Sequence, residues 1–281
     1  MKCKLLDVFA HKKLSGNGLT VFYDYGELSK RQMLALTQEM RQFESIFLSI
    51  DNGKYKARIF TVEEELDFAG HPLIGLAAHL HEEFGAANEH QWQIELNHQT
   101  VELVTRRVDD YYQATMNQGR ADFIKSLNAD EASAFISVLN IDQRDIAPYP
   151  LEVISTGLPY LIVALAKGID RVKIVSSKLE SLLASHGAKF IYVLDVENFE
   201  GRTWDHLGQV EDIATGSAAG PAGAFLHKHG LVSEGLPFQV NQGRFVGRPS
   251  QMSILIDDCE GRTNQVFVSG QVCKVANIEF V

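Results

Sequence analysis

The sequence predicts an α+β fold of two pseudo-symmetric halves, each a barrel-like, mostly antiparallel sheet wrapped on a central helix. Three observations predict it. The order of strand-like and helix-like runs in the first half recurs in the second. Residues 65–81 laid on residues 211–227 bring together five identities: Glu65 with Glu211, Gly70 with Gly216, Ala78 with Ala224, Leu80 with Leu226 and His81 with His227. Each of these segments runs from a Gly-containing turn into an apolar, Ala-rich stretch too long for a strand.

Taken in order, residues 2–9 form a β-rich run, the turn Leu14-Ser-Gly-Asn-Gly18 follows, and residues 19–23 return as a second strand. Ser29 precedes Gln32 at capping-box spacing, and Met33, Leu36 and Met40 recur at helical intervals, so a helix is expected over 29–41. Residues 43–50 and 55–60 flank Asp51-Asn-Gly53, a hairpin turn. Pro72 at a first helical position opens the Ala-rich helix that Gly85 ends. Strands are expected near 91–96, 101–106 and 110–116. The polar segment 117–125 marks the boundary, giving halves 1–118 and 119–281, with the final strand able to pack back on the first half. Beyond it, the order repeats: a strand from Ser155-Thr-Gly-Leu-Pro159 to about 166, a helix over 178–186, a strand over 189–195, a helix entered from 211–220, and strands near 237–241, 251–257, 264–269 and 271–280.

A net charge of −10 over 281 residues gives no counterion-release advantage on a phosphate backbone, so nucleic acid is not an expected partner. Cys3, Cys259 and Cys273 are widely spaced and odd in number, as reduced thiols of a cytoplasmic chain would be. Asp7 comes too early for a signal peptide, and no apolar run reaches membrane-spanning length.

The repeat brings chemistry with it. Gly70-His71 and Gly216-Ser217 each stand at a helix N-terminus, where unpaired N–H groups and the helix dipole favour negative charge. Two such ends facing one cleft would clamp an anion or the charge that develops in a reaction. Glu44, between Phe43 and Ser45 in an apolar strand, is a candidate for taking and returning a proton; the competing reading is a solvent-facing position on an alternating strand. His71 is either an acid/base or donor to substrate, or a residue packed on its own turn. Asp212 is either a carboxylate aimed at substrate or an Asx-turn residue. Paired His79/His81 and His227/His229 lie two apart on helices, on different faces, and make poor chelates. The run Glu63-Glu64-Glu65 reads as a solvated turn, and Trp92 and Trp204 as packing anchors.

These residues are similar to those of the PhzF-type phenazine-biosynthesis family, within the diaminopimelate-epimerase-like fold. The resemblance is carried by Asp7-Val-Phe9, Gly16-Asn17, Glu44-Ser45, Arg58-Ile-Phe-Thr61, Glu65-Leu-Asp-Phe-Ala-Gly-His-Pro72, Ser155-Thr-Gly-Leu-Pro159, Glu211-Asp-Ile-Ala-Thr-Gly-Ser-Ala-Ala-Gly-Pro221 and Gly247-Arg-Pro-Ser250, in order along nearly the whole chain. It implies a homodimer with no cofactor and no metal, acting on a small carboxylate-bearing metabolite. It implies an isomerase moving a proton between carbons, with Glu44, His71 and Asp212 catalytic and Gly70, Gly216 and Ser217 binding the substrate carboxylate. A two-base epimerase using Glu44 and Asp212, and a non-catalytic binding protein on the same fold, are the alternatives. The epimerases of this fold place two cysteines at the helix starts; His71 and the segment from Asp212 to Ser217 hold those places here. Phe43 stands where the family often has Ser or Asn, which would shrink the pocket beside Glu44.

Overall fold

The computed structural model describes residues 1–257 and 265–281; Cys259 and the expected strand start at 264 lie outside the described residues. The chain forms two compact units, residues 1–117 with 269–281, and residues 118–268.

In the first unit, β1 (Lys2–Val8) pairs antiparallel with β2 (Asn17–Tyr23). The chain then crosses through α1 (Lys30–Met40) to β3 (Glu44–Asp51), which lies parallel to β2. Ser29 and Gln32 close the expected capping box on α1. β4 (Lys54–Thr61) returns antiparallel through a turn in which Asn52 and Gly53 both take left-handed backbone, as a tight hairpin matched to strand twist requires. The short β5 (Glu65–Leu66) folds back on β4 and leads into α2 (Gly70–Phe84). β6 (Glu89–Glu95) runs parallel to β4, and β7 (Thr100–Val108) and β8 (Tyr111–Arg120) follow antiparallel. The final strand β16 (Gln265–Glu279) lies beside β8 and pairs with β1, which closes the sheet. Every residue of α2 from Gly70 to His81 is buried, because the sheet surrounds it. Gly75 makes this possible on one side: a Cβ there would stand 2.3 Å from a Leu19 methyl.

The second unit contains β9 (Asp122–Ser126), α3 (Ala129–Val138), β10 (Glu152–Ser155), β11 (Pro159–Leu165), α4 (Leu179–Ser185), β12 (Phe190–Asp195), β13 (Glu200–Thr203), α5 (Gly216–Lys228), β14 (Phe238–Gln242) and β15 (Ser250–Asp257). From β9 to β15 the pairings are antiparallel, antiparallel, parallel, antiparallel, parallel and antiparallel. The first unit runs through the same succession from β16 through β1, β2, β3, β4 and β6 to β7. The repeat in the sequence is therefore a repeat of topology. It extends to an ion cluster at each helix end, built on one buried strand residue, with the charges exchanged. Lys4 on β1 reaches Glu82 Oε2 at 2.7 Å and Glu83 Oε1 at 2.5 Å at the end of α2. Glu152 on β10 takes Lys228 Nζ at 2.6 Å and His229 Nε2 at 3.0 Å at the end of α5. No helix among the described residues is long and apolar enough to cross a membrane.

Three expectations need correction. The last two strands are one, β16: a Cβ on Gly270 would stand 2.2 Å from the Phe9 ring, so the glycine provides a close approach and not a turn. A helix, α3, occupies a region with no expected element; Asn128 and Glu131 form its capping box. Glu65 is not solvated: its side chain is 7% exposed.

His79, on α2, is buried, and its Nδ1 has no hydrogen-bond partner among the described residues. Burial, helped by nearby Lys4, pulls its imidazole down to about 4. The unfolded chain protonates this ring near pH 6.5 and the folded chain does not, so stability is complete above about 6.5 and falls as pH drops toward about 4. The loss amounts to about 3 kcal/mol over that window. His79→Phe, which places here the residue type of the matching position Phe225, is expected to flatten this part of the acid-unfolding profile, measured by urea titration at pH 7 and pH 4.5.

Candidate active site

In the first unit, the sheet register assembles the quoted motifs. Asp7 and Val8 face Gly18 and Asn17, and Leu19, Glu44 and Thr61 form one row across β2, β3 and β4. Asp7 Oδ2 accepts the Leu14 N–H at 2.6 Å and so fixes the turn before Asn17. Glu44 is the first residue of β3, and His71 is in the first turn of α2, whose start follows directly from β5. His71 Nδ1 lies 2.7 Å from Glu44 Oε2, with the two side chains 7% and 17% exposed. With Glu44 ionised, this contact requires the hydrogen on Nδ1, so the carboxylate holds the ring in one tautomer. The solvent-facing reading of Glu44 is thus set aside. Phe43, the residue before it in the chain, is 38% exposed.

In the second unit, Asp212 follows β13 and accepts two bonds on its carboxylate, from the Ile213 N–H at 2.7 Å and from the Thr215 hydroxyl. Its backbone N–H reaches the Thr203 carbonyl at 3.0 Å. The carboxylate thus braces the turn that enters the helix through the next N–H and a hydroxyl three residues on, not through the i+2 N–H of an Asx turn. Gly216 and Ser217 begin α5. The Ser217 hydroxyl is 2.8 Å from Tyr160 Oη, and the Gly216 carbonyl accepts from Gln118 Nε2 at 2.9 Å. Beneath the turn, Gln242 is almost wholly buried. Its amide donates to the Asp212 carbonyl and to Thr215 Oγ1, both at 3.0 Å, and its oxygen accepts the Thr215 N–H at 3.3 Å.

The N-cap residues of α1 and α3 cap their helices with a side chain; those of α2, α4 and α5 (Ala69, Lys178 and Thr215) do not. A helix start whose N-cap residue offers it no side-chain acceptor is compatible with anion binding.

The structure thus joins Glu44 to His71, and places Asp212, Gly216 and Ser217 on one turn and helix start. Sequence reasoning missed Tyr160, Gln118 and Gln242. Tyr160 adjoins the Ser155–Pro159 motif, which was a usable signal; Gln242 stands in an ordinary strand and had none. His81 and His229 are engaged in packing roles, His81 with Thr105 Oγ1 at 2.7 Å and the Ala87 carbonyl at 2.9 Å, His229 with Glu152.

The chain matches the model of the phenazine biosynthesis-like proteins, PhzC-PhzF, over residues 6–277. It belongs to this family. A trans-2,3-dihydro-3-hydroxyanthranilate isomerase of Pseudomonas fluorescens is 31% identical over 93% of this chain and 91% of its own. A solved structure from Pseudomonas aeruginosa, described as a predicted epimerase, is 44% identical with a TM-score of 0.91, covering 100% of this chain and 99% of that one. A hydroxyproline epimerase from Agrobacterium vitis, at 15% identity and a TM-score of 0.59 over 99% of this chain and 91% of that one, shares the fold alone. The PhzF family member thus has the diaminopimelate-epimerase-like fold, and its activity falls in the isomerase class.

Proposed function

We propose that this PhzF family isomerase moves a proton between two carbons of a small, unsaturated, carboxylate-bearing metabolite, without a cofactor. The observation that carries the reading is the 2.7 Å contact between Glu44 and His71, both largely withdrawn from water. Glu44 takes a proton from carbon, and the electron pair of that C–H bond stays on the substrate, delocalised as an enolate-like or extended anion. The protonated Glu44 exchanges its hydrogen with solvent and then delivers one to another carbon of the conjugated system, so the enzyme ends as it began. His71 orients the carboxylate through Nδ1–H, and Asp212 serves as a second polar group that relays or orients. Gly70, Gly216 and Ser217 hold the substrate carboxylate through helix-start amides and a hydroxyl, in line with the uncapped starts of α2 and α5. The same reading makes the protein a cytoplasmic homodimer, checked by sedimentation equilibrium.

The test is turnover in D₂O, followed by NMR, starting with trans-2,3-dihydro-3-hydroxyanthranilate and extending to related cyclic and linear unsaturated carboxylates. Deuterium entering carbon together with double-bond migration is the expected result. Deuterium with inversion at one carbon selects the two-base epimerase. Binding with no exchange anywhere in the set overturns the enzymatic reading. Phe43→Ser, which would widen the pocket beside Glu44, is expected to lower KM for a ring substrate several-fold with kcat changed little, measured by steady-state kinetics.

A further inference from the structure

Each unit carries an arginine–glutamate fork at the same place in its fold. In the first, Arg58 of β4 grips Glu65 with two bonds, Nε to Oε1 at 2.7 Å and Nη2 to Oε2 at 2.9 Å. Asn97 Nδ2 at 2.9 Å and Lys30 Nζ at 3.0 Å complete the shell of this carboxylate. In the second, Arg202 of β13 grips Glu211 the same way, at 2.8 and 2.7 Å. Arg202 also donates to the carbonyls of Ile169 and Val172 and lies between the rings of Trp204 and Phe245. Glu65 stands as far before Gly70 as Glu211 before Gly216.

The second fork is dry, with Arg202 and Glu211 9% and 12% exposed, while in the first Glu65 is 7% exposed and Arg58 keeps 34% in solvent; neither setting makes an ion pair a large source of stability. Replacing a buried ion pair by a well-packed apolar pair is often neutral or favourable, because two charges no longer lose their hydration. What a bidentate fork supplies is direction, since two parallel bonds fix both distance and angle. The register shows what is directed. β4 pairs with β3 so that Thr61 faces Glu44, and with β5 so that Phe60 faces Glu65. Glu65 begins the segment that delivers Gly70 and His71. The fork therefore ties the strand beside Glu44 to the segment carrying His71, and the Glu44–His71 contact closes the same loop. In the second unit, Glu211 adjoins Asp212 in the chain, so the tie is shorter still. Bonding to Arg58 holds the Glu65 carboxyl at about 2, so this tie does not titrate in the range where an enzyme works.

We propose that Arg58 and Glu65 are positioning residues that set the Glu44–His71 contact, and that Arg202 and Glu211 set the Asp212 turn in the same manner. The proposal rests on the reading of Glu44 and His71 as the proton-transfer pair, and its test does not depend on turnover alone. The first variant replaces the charged pair by an apolar one, Arg58→Met with Glu65→Leu. The readouts are thermal unfolding, the ¹⁵N shifts of the His71 ring in the free protein, and kcat and KM for carbon-bound deuterium exchange. The expected result is an unfolding temperature equal to or above that of the parent, shifted His71 nitrogens, and kcat lowered about 10- to 100-fold with KM little changed. A stably folded pair variant with parental His71 shifts and kcat overturns the proposal. If that variant does not fold, Arg58→Lys retains the charge and loses the fork; shifted His71 nitrogens support the proposal, and unshifted ones overturn it. If the parent exchanges no substrate, the isomerase reading fails while the His71 shifts still decide the positioning claim.

Discussion

Glu44→Gln is expected to lower carbon-bound deuterium exchange by about 10³- to 10⁴-fold while leaving the protein folded. The size follows from what the carboxylate is asked to supply: positioned acid–base catalysis contributes roughly 10²–10⁴, and here one group both takes and returns the proton. The fold survives because glutamine has the same length and shape. Its amide oxygen can accept from His71 Nδ1–H where Glu44 Oε2 does now, at 2.7 Å. Glu44→Asp separates position from chemistry. It keeps the acid but retracts it by one methylene, about 1.5 Å, and such a displacement costs on the order of 10²-fold. The expected ranking in kcat is parent, Asp, Gln, with unfolding free energies within about 1 kcal/mol of one another. Deuterium incorporation followed by ¹H NMR gives the rates. Parental exchange in the Gln variant removes Glu44 from the mechanism.

The parts legible in the sequence were those with local signatures. Ser29 and Gln32 announced α1, Asn-Gly the β3–β4 turn, and Pro72 the start of α2, though the helix begins two residues earlier, at Gly70. The repeat was legible because both units bury a helix, and a buried helix keeps its small residues. The missed parts have long-range causes. β9 is exposed along nearly its whole length, so no alternation marks it. β13, Glu-Gly-Arg-Thr, reads as a polar loop, yet all of it is buried. Glu200 is gripped by Arg244 at 2.6 Å, Arg202 by Glu211, and Gly201 leaves room for the Tyr192 phenol. Charges that neutralise one another from separate elements look like solvated charges until the elements are paired. Glu65 failed for the same reason. Glu63 and Glu64 are exposed, and only the pairing of β5 with β4 turns the third carboxylate inward to Arg58. In the candidate site, Glu44, His71 and Asp212 were named from the sequence, but the groups that fix them were not. Gln242 meets the Asp212 turn only through the fold.

Gly243→Ala is expected to cost about 3 kcal/mol and to disturb the Asp212 turn with it. Gly243 takes φ +83°, and a Cβ there would stand 2.3 Å from the Arg248 carbonyl oxygen and 2.5 Å from that of Ile213. Left-handed backbone alone costs a non-glycine residue roughly 1 kcal/mol. The remainder arises because both obstacles are backbone, and the Ile213 carbonyl cannot retreat without taking Asp212 along. Asp212 is in turn bonded through its own carbonyl to Gln242, the residue before the glycine. One methyl group would thus press on the turn from the position that anchors it. Gly247→Ala provides the internal control. Its φ is +74°, but a Cβ there meets nothing within 4 Å, so only the backbone term of about 1 kcal/mol is expected. Urea denaturation of both variants isolates the contact as the difference, about 2 kcal/mol. Exchange kinetics then ask whether the turn has moved: Gly243→Ala should lower kcat and Gly247→Ala should not. Equal cost at both positions would mean that the approach of Gly243 to Ile213 does not hold the turn, and that Gln242 alone carries it.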